Sequence, residues 1–441
     1  MIGRIKKIFD SESKALAKNS SWMLLSTMYQ AGIVFLKSIL IARTLGLEAY
    51  GLYATMMAFV AAVQEVFNLN IGAAMIKFAA DFESAGRTDK LFALLKAGYL
   101  GTILTVFLSI LGVLIVVIGY YDIFFDSSGF EWLIVLFSIG TSFAVLNSIP
   151  KVILRIFDKF KINSMVNMAA YSFELTVIYL WTISSDPSLK HLVFYLVVTA
   201  FINSVIFNVT SLWEVKAMIQ GFWRVSLDEL KPHQKALFQF VFNNSLSKTL
   251  QKLMKKGDVL ILAAFADSSQ VALYDVARKL AFSLLVIKDP LTLAVYPQIA
   301  KLVSSNEQAK LRVFLRNLFS LGLIPYFLGL GTLLLIGEWM IQLLYGAEFV
   351  GAGNALFFLA LAVGLEILFF WTIPFVLSLG KTGYRLRASL FSSAITVLTA
   401  FVLVSEFGSS GVAIAILCGA IVLQTSFVWV IVNHLNASDH E

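Results

Sequence analysis

Six stretches of this chain, 97–118, 132–150, 191–213, 317–336, 388–404 and 411–433, run 17 to 23 residues without an Asp, Glu, Lys or Arg. A helix that crosses a bilayer needs roughly 20 mostly apolar residues, because ~30 Å of hydrocarbon is covered at ~1.5 Å per residue. Six more stretches carry charges inside otherwise apolar sequence: 19–42, 53–76, 162–183, 236–264, 270–300 and 353–380. The last three are longer than a span requires, which predicts tilt or kinks. No ten-residue alternation of the outer-membrane barrel type occurs. The chain therefore reads as an all-α polytopic membrane protein with 12 transmembrane helices.

Composition closes off the other classes. With 59% hydrophobic and 14% charged residues, against about 45–50% and about 25% in soluble domains, a soluble enzyme and a disordered chain are both excluded. The formal net charge of +7 does not argue for nucleic acid, since a chain this apolar stays in the bilayer. The single Cys418 allows neither an internal disulfide nor a cysteine metal site. His191, His233, His434 and His440 lie near span ends or in loops, so no metal site is expected. Neither is a cofactor, and no phosphate-cradling Walker sequence is present; the chain is not expected to be an enzyme.

Orientation follows from the basic residues. Segments 1–18, 77–96, 151–161, 214–235, 301–316 and 381–387 hold 24 of the 34 Lys and Arg, whereas the alternate loops hold only Arg43 and Lys190. Both termini are thus expected on the cytoplasmic side of the membrane. The loop 214–235, with Pro232, divides the spans six and six, predicting lobes 1–220 and 221–441. Loose repeats support the division: Leu52-Tyr53 against Leu273-Tyr274, Ala73 against Ala294, and Lys90-Leu91 against Lys310-Leu311. The loop 337–352 has room for a surface helix but not for a domain.

Eight bases remain inside the spans: Lys37, Lys248, Lys252, Lys255, Lys256, Arg278, Lys279 and Lys288. The acids there are Glu65, Glu174, Asp258, Asp275, Asp289 and Glu366. A charge at mid-bilayer costs at least about 2.5–3.5 kcal/mol, so such groups usually face a polar interior. All eight bases fall in spans 1, 2, 7 and 8, which predicts a central cationic cavity between the lobes. In span 7, Asn244, Lys248, Gln251, Lys255 and Asp258 recur at helical spacing on one face, with Lys252 at its border. A cytoplasmic surface helix is the plainer reading of that stripe, but Val259–Ala266 is too short to span alone. Several cations in a low-dielectric cavity suit an anion, phosphate above all.

Weaker candidates lie in other spans. Thr27, Gln30 and Lys37 share a stripe of span 1, and Glu65 of span 2 is positioned to pair with Lys37. Asn167 and Glu174 lie on one face of span 5, where an interhelical hydrogen bond is the simpler expectation. Pro290, after Lys288-Asp289, is expected to kink span 8. Arg278 belongs either to the cavity or to its outer mouth.

Several segments resemble the polysaccharide transporter (Wzx-type oligosaccharide-lipid flippase) family of the multidrug/oligosaccharidyl-lipid/polysaccharide exporter superfamily. They are Ala42-Arg43-Thr44-Leu45-Gly46 with Tyr50-Gly51-Leu52-Tyr53, Leu273-Tyr274-Asp275-Val276-Ala277, Val295-Tyr296-Pro297-Gln298-Ile299-Ala300, and Leu379-Gly380-Lys381-Thr382-Gly383. The usual glycine of the second Gly-Leu-Tyr is Ala272 here. The resemblance implies a flippase of the cell inner membrane that moves a polyprenyl-diphosphate-linked oligosaccharide, an O-antigen or capsule repeat unit, from its cytoplasmic to its outer leaflet by alternating access of two lobes. Lys37, Lys248, Lys252, Lys255 and Arg278 would then meet the anion, and Gln30, Asn244 and Gln251 the sugar. Glu65, Glu174, Asp258 and Asp289 are the candidates for coupling to H+ or Na+. The implied protein is a monomer in the lipid bilayer, with a glycan polymerase of the same pathway as a partner. Three rivals stand beside it. A membrane polysaccharide polymerase or ligase would want a large outer loop, a drug–cation antiporter an acidic cavity, and a peptidoglycan-precursor flippase extra C-terminal spans.

Overall fold

The computed structural model describes residues 2–125, 129–216, 225–305 and 307–437; side chains are described from residue 19 onward, except 126–128, 215–224, 247, 250, 251, 253–256, 287, 289, 293, 306 and 437–441. Among these residues helices joined by short turns make up the regular structure and no strand occurs. That is what lipid demands: no water is present to satisfy a free N–H or C=O, so each span closes its own hydrogen bonds. Seven helices are long and apolar enough to cross a membrane, or eight if the bent pair Ser268–Thr292 and Ala294–Ser304 counts as one span. The protein is a multi-pass α-helical membrane protein. Its lipid-facing character is visible in exposed side chains such as Phe107, Ile118, Leu335 and Val402.

The helices are α1 (Ile2–Val66), α2 (Gly72–Ser84), α3 (Thr88–Phe124), α4 (Glu131–Leu146), α5 (Ser148–Ile156), α6 (Phe160–Thr182), α7 (Leu189–Lys216) and α8 (Gln234–Phe265). They continue as α9 (Ser268–Ser283), α10 (Lys288–Ser304), α11 (Gln308–Leu344), α12 (Gly353–Leu368), α13 (Thr372–Ser378) and α14 (Thr382–Ala437). Each of the twelve apolar stretches lies on one of these helices or on a broken pair of them. Two helices hold two stretches each, and each breaks at a glycine. Gly46 in α1 has φ 75° and ψ 178°, and Gly408 in α14 has φ 51° and ψ −126°. At both, the backbone is left-handed, which costs an L side chain roughly 1–2 kcal/mol.

The described chain forms two compact units. One comprises residues 1–45 and 56–256, the other residues 46–55 and 257–441. The boundary expected between residues 220 and 221 lies outside the described residues. In the first unit α3 packs on α2 and α4, and α7 on α4 and α6. A Cβ on Gly140 of α4 would stand 2.8 Å from Val197 of α7, so this small residue sets the approach of the two helices. In the second unit α12 is central, against α9, α11 and α14.

Breaks elsewhere have chemical causes. Span 8 is interrupted by a 3-10 turn, Leu284–Ile287, which contains the carbonyl four residues before Pro290, and it bends by a further 45° between residues 292 and 294. Pro297, inside α10, has no N–H for the carbonyl four residues earlier. Span 10 is interrupted at 369–371, between α12 and α13. The loop 337–352 holds the end of α11 and a 3-10 turn, Ala347–Ala352.

Candidate functional site

In the first unit, α1 and α6 meet along a polar seam. The Lys37 ammonium lies 2.5 Å from the Glu174 carboxylate and 5.5 Å from the centroid of the Tyr171 ring. Lower on the same seam the Asn167 amide donates to Ser26 at 3.1 Å and to Gln30 at 3.5 Å. The Tyr29 and Ser172 hydroxyls are 2.6 Å apart. The interhelical bonding expected of Asn167 is present, but the pairing expected of Lys37 with Glu65 is not. Glu174 takes Lys37 because both project from facing turns of α1 and α6, whereas Glu65 stands about eight turns of α1 further on, beyond the break at Gly46.

Glu65 instead belongs to a second polar cluster. α1 ends at Val66, and Asn70, at φ 45°, turns the chain before α2 starts at Gly72. Helix ends leave carbonyls without an intrahelical partner; the Asn68 N–H reaches that of Glu65 at 3.2 Å, and side chains of α8 serve this and the following carbonyls. Thr249 donates to the Glu65 carbonyl at 3.0 Å, Ser245 to that of Leu69, and Asn244 to that of Asn70 at 3.4 Å. One turn on from Thr249, Lys252 reaches the Glu65 carboxylate at 2.9 Å. The Lys252 side chain is 45% exposed and that of Glu65 only 13%.

Within its spans the second unit holds three ion pairs among the described residues. Asp258, at the end of α8, accepts from the Tyr274 hydroxyl at 2.7 Å and from the Arg278 guanidinium at 3.0 Å. Asp275 accepts from the Tyr50 hydroxyl at 2.7 Å and pairs with Lys279 at 2.6 Å. Lys279 also donates to that hydroxyl at 2.6 Å. Tyr50 and Tyr274 are completely buried. The backbone around Tyr50 is held closely: a Cβ on Gly51 would stand 1.7 Å from the Ser268 carbonyl oxygen, and Glu348 accepts from the Leu47 N–H at 3.2 Å. Further along, Lys288 pairs with Glu366.

These pairs redraw the charge map. Within the spans the described bases Lys37, Lys252, Arg278, Lys279 and Lys288 each face one acid: Glu174, Glu65, Asp258, Asp275 and Glu366. Lys248 makes no ion pair among the described residues. Gln251, Lys255 and Asp289, also expected at the site, lie outside the described side chains, as does Lys256. So the surplus positive charge within the described spans falls on α8, with Lys248 half-buried one turn before Lys252. Arg278, Lys37 and Gln30 are instead engaged in fixed contacts. Among the described residues no group of His, Cys, Asp and Glu is arranged to hold a metal ion.

Sequence reasoning missed Tyr50, Tyr274, Ser245 and Thr249. Both tyrosines lie in the segments that carry the family resemblance, which was the available signal. Ser245 and Thr249 carry no signal of their own, because their partners are backbone carbonyls exposed by a helix break.

With this arrangement established, known structures identify the fold class. An inward-facing multidrug resistance MATE family transporter of the MOP superfamily superposes over 92% of this chain and 96% of its own, with a TM-score of 0.72 at 14% identity. The lipid II flippase MurJ, in an inward closed conformation, aligns over 92% of this chain and 86% of its own, with a TM-score of 0.64 at 14% identity. The fold is the one those exporters share. Residues 16–303 match the family described as polysaccharide biosynthesis protein, and the chain belongs to that family, as its motifs led us to expect. A named relative is the probable low-salt glycan biosynthesis flippase Agl15 of Haloferax volcanii, 23% identical over 207 residues. The alignment spans 46% of this chain and 43% of that relative.

Proposed function

We propose that the protein is a flippase, not an enzyme, and that it carries a polyprenyl-diphosphate-linked oligosaccharide of the O-antigen or capsule type from the cytoplasmic to the outer leaflet of the inner membrane. Lobes 1–220 and 221–441, each of six spans, alternate access to a central cationic cavity, and both termini are cytoplasmic. The observation that carries this reading is the location of the surplus charge: five described intramembrane bases, Lys252 among them, are matched by acids, which leaves the surplus on Lys248 of α8, one turn from the half-exposed Lys252. A base in a mostly buried ion pair offers little net field to an incoming anion, whereas Lys248 is matched by no acid among the described residues and Lys252, one turn on and half-exposed, can exchange Glu65 for a phosphate, which suits the two phosphates of a lipid diphosphate. Lys255 and Gln251 extend the same face by sequence, and Asn244, whose amide reaches the Asn70 carbonyl at 3.4 Å, offers its side-chain oxygen to a sugar hydroxyl. Lys37, Gln30 and Arg278 then shape the cavity wall through their partners. Family membership and the flippase named among the relatives support the substrate class.

Glu65, Glu174, Asp258 and Asp289 are the coupling candidates, for H+ or Na+. The protein works as a monomer beside the glycan polymerase of its pathway. A drug–cation antiporter of the same fold would want unpaired acids facing the cavity, and the five described intramembrane acids all have basic partners.

The test is transport by purified protein in liposomes carrying a fluorescent polyprenyl-diphosphate glycan, with outer-leaflet arrival read by quenching. Lys248→Gln with Lys252→Gln is expected to slow arrival by at least about tenfold, the effect of ~1.4 kcal/mol on a binding step. Arrival at the wild-type rate overturns the anion site, and hydrolysis or polymerisation of the glycan overturns the transporter reading.

A further inference from the structure

We infer that Glu65 is a built-in counter-anion that competes with the substrate's phosphates for Lys252 and so sets how tightly the headgroup is held. This rests on the reading of α8 as the anion-binding helix. The ion pair is asymmetric. The Lys252 side chain is 45% exposed while that of Glu65 is 13% exposed, so the ammonium is open to an incoming ligand and the carboxylate approaches it from the protein side.

Glu65 is also held independently of Lys252. Its carbonyl accepts from Thr249 at 3.0 Å, and its carboxylate accepts from the Asn70 amide at 3.5 Å. Asn70 is itself fixed, its N–H donating to the Asn68 side chain at 3.0 Å and its amide to the Asn68 carbonyl at 3.1 Å. When Lys252 swings toward a phosphate, the carboxylate therefore stays within reach and ready to take the ammonium back. Lys248, one turn earlier, has no such competitor among the described residues. The two lysines thus differ in role: Lys248 adds attraction, and Lys252 adds attraction that Glu65 can withdraw. A flippase needs this balance, since a headgroup bound without a competitor at a low-dielectric site would be slow to leave.

The competition predicts a sign that a structural role would not give. Titrating inorganic pyrophosphate into the full-length protein in zwitterionic nanodiscs, at fixed salt, Glu65→Gln is expected to bind about fivefold more tightly than wild type, the worth of one half-exposed ion pair. Lys252→Gln binds more weakly, and the double variant is as weak as Lys252→Gln, because nothing is left to compete for. Glu65→Asp, one methylene short of Lys252 with its charge retained, falls between wild type and Glu65→Gln; it serves if the glutamine variant does not fold. Binding by Glu65→Gln and Glu65→Asp that is unchanged or weakened, while Lys252→Gln still loses affinity, overturns the inference and leaves the anion site standing. Unchanged binding by Lys252→Gln removes both.

Discussion

Replacing Lys37 by Met isolates the cost of an intramembrane ion pair in this protein. The Lys37 and Glu174 side chains are 13% and 21% exposed and stand 2.5 Å apart, so neither is well solvated if the other is lost. Removing one member of a buried pair costs about 3–5 kcal/mol, because the remaining charge is left desolvated and unpaired. The residual exposure places this pair at the low end, about 3 kcal/mol. Replacing both with Met removes the charge and keeps the apolar volume, an exchange that is often neutral or stabilising. Thermal unfolding in detergent should therefore fall by roughly 6 °C for Lys37→Met, at about 2 °C per kcal/mol for a unit of this size. For the Lys37→Met/Glu174→Met double variant it should recover to within about 2 °C of wild type. A single variant as stable as wild type would refute the reasoning, since the pair would then not be desolvated. So would a double variant that is worse than the single. The same proteins separate structure from transport, because a stable double variant that flips glycan normally makes Lys37 a wall residue.

The contacts of the second unit give sharper stability effects. Tyr50→Phe removes the hydroxyl that bridges Asp275 and Lys279, leaving a buried carboxylate short of a donor, and should cost about 1–3 kcal/mol in thermal unfolding. Gly51→Ala forces a Cβ toward a backbone oxygen 1.7 Å away; overpacking of this kind costs about 1–3 kcal/mol or more and should raise the rate of limited proteolysis. Gly408→Ala imposes a left-handed backbone on an L residue and should lower stability by about 1–2 kcal/mol, with no such loss for the helical Gly383→Ala as control.

The helices were legible because lipid leaves the chain few alternatives. A run such as 97–118, with no charge and no partner for its backbone except itself, has one solution, and α3 covers it. Breaks were less legible. Pro290 marked a break in span 8, but a proline acts on the carbonyl four residues before it, so the 3-10 turn falls at Leu284–Ile287, and the second bend, near residue 293, falls four residues before Pro297. The candidate site was half legible. The charged residues could be named, since an ion in an apolar run stands out, but their partners could not. Nothing in helical spacing shows that Glu65 lies beside Lys252, 187 positions away. That proximity follows from the end of α1 at Val66, where carbonyls of residues 65, 69 and 70 draw in Asn244, Ser245 and Thr249.

These long-range partners bear on how two lobes divided at 220 and 221 would move. Residues 225–256 complete the Glu65 cluster of the first unit, and residues 46–55 complete the Asp275 cluster of the second. Each cluster thus combines one sequence half with a short segment of the other. Rigid motion of the halves would have to part Lys252 from Glu65 and Tyr50 from Asp275, yet the two separations differ in cost. Lys252 is half-exposed and can exchange its partner for water or phosphate, so parting it costs on the order of 1 kcal/mol. Tyr50 is fully buried and leaves a desolvated carboxylate and ammonium behind, a larger penalty. Substrate that binds Lys252 would lower the first barrier and leave the second untouched. Tyr50→Phe should therefore change the transport rate in substrate-free and substrate-loaded liposomes by the same factor, measured as counterflow and net flux, whereas Glu65→Gln should alter the ratio of the two. A Tyr50→Phe effect that depends on substrate would mean that the two clusters are not separate steps.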